Sequence, residues 1–274
     1  MKVTEFPSIT TLDGAQVFLV DGASGTKKIL ASDLLFALEH LNSPQITHRN
    51  TFRGKSLGTA VTSDQWSEIV NGTFGDLWLG DYWTINNIVW RIADFDYWMH
   101  CGDTEFTQHH LVIVPDHNLY NAKMNDTNVT TGGYTGSAMY TSNLASAKTT
   151  INSAFGSSHV LTHKEYLVNA VTNGKPSGAA WVESKVELMT EAMVYGHLHF
   201  SPTSDGSTVP SIHSIDKLQL ALFQQAPEFV NTRETYWLRD VVSAAYFASV
   251  RADGLAAGDG ASGSRGVRPA FAIG

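Results

Sequence analysis

Cysteine is almost missing from this chain: 274 residues contain one, Cys101. A lone thiol excludes an intrachain disulfide, and with it the stapled frameworks that let small extracellular domains manage with a thin core. Folding in a reducing cytoplasm is expected. Charge is sparse too, at 16% of residues, and it leans acidic, with 18 Lys and Arg against 26 Asp and Glu for a net charge of −8. No run of Lys and Arg offsets that balance, so a phosphate backbone is repelled and nucleic acid is not expected as a partner. Long apolar runs are also lacking, none reaching the ~18 residues of a membrane span. The opening Met1-Lys2-Val3-Thr4-Glu5-Phe6-Pro7 does not have the basic-then-apolar layout of a signal peptide. No membrane insertion is expected.

Catalytic and metal motifs are equally scarce. There is no Gly-x-Ser-x-Gly, Walker loop, Glu-x-x-His pattern or Asp-x-Asp-x-Asp loop. Eleven histidines invite a metal reading, and His109, His110, His117, His197 and His199 are its candidates. On a strand, His197 and His199 would share a face. Without supporting carboxylates or thiols they are read as structural or surface histidines, and neither a metal nor any other cofactor is expected. Cys101, flanked by His100 and near His109 and His110, suits a small buried hydrophobe better than an activated thiolate. Asp94 and Asp96 have the look of a glycosidase pair, but so do most neighbouring loop carboxylates. A non-enzymatic role is therefore expected, with glycan modification through Cys101, Asp94 or Asp96 as the enzymatic alternative.

What the chain does have is apolar material for a core, 43% hydrophobic residues with seven Trp, and clear patterning. Tyr236-Trp237-Leu238-Arg239-Asp240 and Gly266-Val267-Arg268-Pro269-Ala270-Phe271-Ala272-Ile273 alternate as half-buried strands do. A strand over residues 244–251 and a Gly-rich loop over 258–263 lie between them. Upstream, residues 77–85 and 88–95 predict two strands joined by an Asn86-Asn87 turn. Leu111-Val112-Ile113-Val114-Pro115 reads as a central strand, and residues 50–58 as a first one. Helices are predicted at 63–72, with Ser63 as N-cap and Trp66, Ile69 and Val70 buried, and after Thr141 or Ser142, with Leu144, Ala147, Ile151 and Phe155 on one face. Leu218 to Phe223 also suggests a helix. Residues 173–178 and 197–210 read as loops, while 160–171 mixes strand and turn signals.

Residues 1–45 have their own logic. Two short strands, 16–20 and 26–30, flank an Asp21-Gly22-Ala23-Ser24-Gly25 turn. A helix capped by Ser32 follows, with Leu34, Leu35, Leu38 and Leu41 as its apolar stripe. So small a piece cannot bury that stripe alone; it must cover it with the main domain, a sister copy or a larger assembly. Phe18, Ile29, Leu34, Leu38 and Leu41 are the expected attachment or oligomerisation residues. The Asn42-Ser43-Pro44 break marks a boundary, so the chain is divided into 1–45 and 46–274.

The WLR segment, the strand and glycine loop after it, and GVRPAF at the end resemble the close of a C-type-lectin-like domain found in phage and gut-bacterial proteins. That domain is related in fold to the formylglycine-generating enzyme family. Residues 186–196 are similar to the strand, cap and short helix that precede WLR there. The leading hairpin, through Thr11, Leu12, Gly14, Phe18, Val20, Asp21, Gly22, Lys27, Lys28, Asp33 and Leu34, resembles the N-terminal attachment pieces of phage fibre proteins. The resemblance implies an α+β, C-type-lectin-like fold with twisted antiparallel sheets, few helices and long loops behind an attachment segment. It implies a virion structural protein, a tail or head fibre or decoration protein made in the bacterial cytoplasm and assembled with other virion proteins. By analogy it would be a homo-oligomer, a trimer, and would adhere to a host-surface glycan or protein. A purely architectural capsid or tail role is the alternative. The calcium triplets of lectins are absent, Pro115-Asp116-His117-Asn118 being the nearest approach, and a lone Cys101 cannot make the copper-holding pair of the enzyme branch. The Asn-, Thr- and Gly-rich stretch 116–140 reads as a long surface loop, functional or unusually well tied down. Asn118, Tyr120, Asn125, Asn128, Tyr134 and Tyr140 are its expected receptor contacts, with residues 201–210 as a second surface. Trp237, Arg239, Gly266, Arg268 and Pro269 are expected to be structural. Arg239 and Arg268, inside apolar strands, need buried partners such as backbone carbonyls, Asp240 or Glu234.

Overall fold

A computed structural model describes residues 17–22, 25–30, 44–201 and 218–274. The chain divides into two compact units, 1–47 and 48–274. In the first, β1 (Val17–Gly22) pairs antiparallel with β2 (Gly25–Leu30), and Phe18 lies opposite Ile29. The strands run further than expected: Gly22 pairs with Gly25, so Asp21, Gly22 and Gly25 belong to them. Leu34, Leu38 and Leu41 lie outside the described residues. Pro44 opens a helix, α1 (Pro44–Asn50), where its missing N–H is one that no helix bond would use. Asn50 therefore ends a helix, and residues 50–58 form no strand of the sheet, pairing through the isolated bridges Phe52 to Leu79 and Ser56 to Tyr82 and the Thr84 N–H to Gly58 O bond.

The second unit is mostly sheet with short helices, an arrangement compatible with the α+β class. One five-stranded sheet runs β3 (Tyr82–Ile85), β4 (Ile88–Phe95), β5 (Leu111–Pro115), β14 (Pro269–Ile273), β9 (Val186–Leu188). The apolar β5 is its central strand, as its composition predicts, and all five of its residues are buried. Asn86 and Asn87 join β3 to β4 with φ of 55° and 61°, the left-handed pair that a two-residue hairpin requires and Asn tolerates. Beneath this sheet Trp90, Phe155 and Phe271 meet edge to face, with centroids 5.5 to 5.7 Å apart, and each contributes about 1.5–3 kcal/mol through burial.

The other five-stranded sheet runs β12 (Ala256–Gly260), β11 (Tyr246–Val250), β10 (Tyr236–Val241), β13 (Arg265–Val267), β6 (Tyr120–Ala122). The expected glycine loop begins later than predicted, because Gly258, Asp259 and Gly260 pair with Ala248, Phe247 and Tyr246 as an edge strand. Pairing here overrides poor strand propensity. A separate hairpin, β7 (His163–Thr172) and β8 (Lys175–Ser184), turns on Asn173-Gly174, with φ of 53° and 74°. Residues 175–178, expected in a loop, belong to β8.

The helices largely follow the pattern. In α2 (Ser63–Val70) the cap is Thr62 and not Ser63: its hydroxyl accepts the Gln65 N–H at 3.2 Å while Gln65 Oε1 accepts the Thr62 N–H at 3.0 Å. Ile69 is buried, Trp66 is half-buried against His159, and Val70 is exposed. The next helix, α3 (Ala145–Phe155), is entered through a wide turn at Met139–Asn143 with no side-chain cap, contrary to the Thr141 or Ser142 reading. Leu144, Ala147, Ile151 and Phe155 are buried as their spacing predicts. Thr190 caps α4 (Glu191–Tyr195), which Gly196 ends, and α5 (Ala221–Gln225) overlaps the predicted third helix but starts and ends later.

The two five-stranded sheets share one piece of chain. β13 belongs to one and β14 to the other, and Arg268 is the residue between them. Its buried guanidinium donates from Nε to Pro115 O at 2.9 Å, at the end of β5, and from Nη1 to Tyr236 OH at 3.2 Å, on β10. The Phe223 and Tyr236 rings flank it at 5.4 and 5.1 Å. Pro269, which has no N–H to offer a ladder, suits the first position of a strand. Gly266 is small of necessity, since a Cβ there would stand 2.0 Å from Asn118 Cγ. Arg268→Ala is expected to cost about 3 kcal/mol or more in urea denaturation, because it empties a buried site and orphans both acceptors. Arg268→Lys is expected to recover less than half of that loss, as one ammonium cannot span both sheets. Equal stability of the three proteins would remove the corner from this account.

Candidate functional site

The arginine in WLR is buried, but its partner is neither Asp240 nor Glu234. Arg239 Nη2 donates to Glu165 Oε2 at 2.8 Å, and His163 Nε2 reaches Glu165 Oε1 at 3.2 Å. Trp98 stacks on the His163 ring with centroids 4.0 Å apart. Burial alone would raise the Glu165 pKa, but the charge of Arg239 and the His163 hydrogen bond outweigh it and hold the carboxyl below its ordinary range. Asp240 instead accepts the Glu191 N–H, and Glu234 accepts from Asn118 Nδ2 at 2.9 Å.

The carboxylates of the enzymatic alternative are likewise occupied. Asp94 is fully buried, pairs with Arg49 at 2.6 and 3.1 Å, and accepts the N–H groups of Phe95 and Ala221. Desolvation still raises its pKa, but it binds α1, β4 and α5 together and faces no solvent. Asp96 accepts from His109 Nδ1 and the His110 N–H, both at 2.8 Å. His110, buried and held down to about 3 chiefly by desolvation, donates Nδ1–H to Gln108 O and accepts the Trp98 N–H at Nε2. Cys101 is buried. The His197 and His199 rings lie 4.2 Å apart after α4. Among the described residues no group of three or more His, Cys, Asp or Glu side chains is placed to hold a metal ion. Asp116, from the nearest approach to a lectin calcium triplet, accepts from Nε and Nη2 of Arg91.

The stretch 116–140 is tied down rather than free. Tyr134 is 1% exposed, donates to Glu187 Oε2 at 2.7 Å, and belongs to the core instead of a receptor surface. Tyr120 OH donates to Asn143 O at 2.6 Å. Asn125 bonds to Val129 O and the Ala138 N–H, and Asn128 accepts from the N–H and hydroxyl of Ser262. Asn118 braces Glu234. Tyr140, half-buried against Tyr134, lines an opening of about 330 Å³ with Lys148 and Glu187. Burial raises the Glu187 pKa, yet Ser184 and Tyr134 already occupy its two oxygens. Residues 202–210 of the second expected surface lie outside the described residues.

A larger opening, about 560 Å³, lies at the sheet of β12, β11, β10, β13 and β6. Asn121 on β6, the 233–235 loop before β10, Arg251 and Ala252 after β11, Ala257 and Asp259 on β12, and Ser264 and Arg265 at β13 form its walls. Asp259 crosses three strands, accepting from Ser249 Oγ at 2.8 Å and Arg265 Nη2 at 2.9 Å. Burial opposes its ionisation, but those two donors prevail and lower its pKa. Arg251 Nη2 stands 3.3 Å from Asp253. Arg233 has φ of 61°, a left-handed backbone that costs a non-glycine residue about 1–3 kcal/mol. Neighbours hold it there: its N–H donates to Asn231 Oδ1 at 2.8 Å, and Thr232 Oγ1 donates to Glu234 O at 2.8 Å. None of the three arginines was singled out from sequence. Arg251 and Arg265 stand at strand ends and Arg233 in the loop before β10, and the strand order brings them to one opening.

The chain, compared with known proteins, matches no family model, no curated protein and no solved structure. Among the described residues no helix is long and apolar enough to cross a membrane.

A depressed carboxylate stabilises a fold above its ordinary pKa, here 4.5, and that stabilisation is lost as the pH falls through the lower folded value. Glu165→Gln, which removes the buried charge paired with Arg239, is expected to cost about 3–5 kcal/mol at pH 7. Its deficit against the parent should shrink as the pH falls from 4.5, where the carboxyl of the unfolded parent begins to protonate, towards the folded value of about 2. Denaturant melts at stepped pH values test this, and a deficit independent of pH would refute it.

Proposed function

We propose that this chain is a phage virion structural protein, a tail or head fibre or decoration protein, whose second unit is a C-type-lectin-like domain displayed for adhesion to the host surface. The observation that carries the reading is the 560 Å³ opening, walled by strand ends and braced loops and open to solvent along polar side chains. Such an opening recognises a ligand with groups already in place, without an ordering cost on binding. The carboxylates best placed for acid-base work, Asp94, Glu165 and Glu187, are buried and engaged by internal donors, which favours binding over catalysis. The resemblance of WLR and GVRPAF to the lectin-like ending supports the same assignment. The leading hairpin supports attachment to other virion proteins through residues 1–45, with a trimer as the proposed assembly.

Antibody raised against the full-length chain is expected to label phage particles released by cells carrying its gene. Labelled full-length protein is expected to bind the bacteria those particles infect, without shortening their surface glycans. Failure to label particles would refute the virion assignment. Particles labelled by antibody but no cell binding would leave a purely architectural protein, and glycan shortening would make it an enzyme.

A further inference from the structure

We infer that the opening between β6, β12 and the 233–235 loop binds an acidic saccharide, one whose ring carries a carboxylate or phosphate, through Arg233 with help from Arg251. The inference rests on the adhesion reading and names its ligand class. Three guanidiniums, Arg233, Arg251 and Arg265, line this opening against two carboxylates, Glu234 and Asp259, in a chain whose net charge is −8. The local excess of cation therefore runs against the sign of the whole protein.

The internal pairings decide which cation is available. Asp259 is taken by Arg265 and Ser249. Glu234 is steadied by Asn118. Arg251 shares Asp253, which does not line the opening. The Arg233 guanidinium makes no hydrogen bond or ion pair among the described residues. Its backbone is nevertheless held in a costly left-handed conformation by Asn231 and Thr232. Strain maintained by dedicated bonds at the rim of an opening, beneath an exposed unspent cation, is a feature of sites that pre-place a binding group.

The remaining lining selects among ligands. No aromatic ring lines the opening, so a neutral sugar, which gains much of its affinity by laying an apolar face on an aromatic side chain, finds little here. Carboxylate and phosphate groups match the planar fork of a guanidinium through paired charge-assisted bonds. Asn121, Thr235 and Ser264 offer amide and hydroxyl groups to ring hydroxyls beside the anion. The volume lies within the range of sites that hold small ligands. Nucleic acid, the other polyanion, is disfavoured by the overall charge.

Calorimetry on the full chain with galacturonate oligomers as the carboxylate probe, glycerol-phosphate oligomers as the phosphate probe and neutral dextran oligomers as control tests this. At least one acidic probe is expected to bind, more weakly as salt rises, and dextran is expected not to. Arg233→Asn, which keeps a residue tolerant of the left-handed backbone, should weaken binding roughly tenfold or more. Asp253→Asn, which releases Arg251, should tighten it several-fold, a gain that a merely structural role would not produce. Equal binding of dextran and the acidic probes, or indifference to Arg233→Asn in a variant that melts like the parent, would overturn the inference. Cell adsorption measured in parallel separates the two readings. Adsorption without acidic-probe binding defeats the ligand class and leaves adhesion standing; acidic-probe binding without adsorption defeats adhesion and leaves the ligand class standing; neither defeats both.

Discussion

A single guanidinium holds the second unit at its seam. The last strand of the chain cannot remain in one sheet: residues 265–267 pair in the sheet of β10, and residues 269–273 pair beside β5 in the other. Arg268 stands at the crossing and grips an acceptor from each sheet, Pro115 O and Tyr236 OH. A buried charge is tolerated only when it is hydrogen-bonded and enclosed by polarisable neighbours, and the Phe223 and Tyr236 rings complete that enclosure. Because the chain crosses here, the relative placement of the two sheets follows from this corner.

Fixing the sheets also fixes the opening. β13 lies between β10 and β6, so Arg265 and Asn121 come to the same rim, and Asp259 reaches it from the far edge through Ser249 and Arg265. Gly266, beneath that rim, must leave room for Asn118, and Asn118 in turn holds Glu234. Core geometry and surface chemistry are thus linked through a few residues. Elsewhere the buried acids are engaged internally: Asp94 joins two helices and a strand, Glu165 neutralises Arg239, and Glu191 gathers the N–H groups of His199, Phe200 and Ser201.

Much of the secondary structure was legible because local chemistry dictates it. Asn86-Asn87 between two aromatic-rich runs reads as a hairpin, since the signal and the structure share one physical cause, whereas the cap and short helix at 190–196 were implied by the resemblance. The Asn173-Gly174 hairpin carries an equally strong turn signal, but its flanking strands do not alternate cleanly, so residues 173–178 read as a loop. The β12 strand carried almost no signal: Ala and Gly have poor strand propensity, and β11 recruits them. Tyr134 seemed a surface aromatic by composition, whereas a carboxylate more than fifty residues away, Glu187, draws its hydroxyl into the core.

From sequence alone came many of the strands and helices, the central position of β5, the need for buried partners around Arg239 and Arg268, and the exclusion of an intrachain disulfide. All of these depend on residue type and near-neighbour spacing. Tertiary structure decided which partners those arginines took, which polar residues of 116–140 were spent on bracing, and that Arg233, Arg251 and Arg265 share one opening. Such choices depend on strand order and register, which bring together residues far apart in the chain and leave no periodic trace in it.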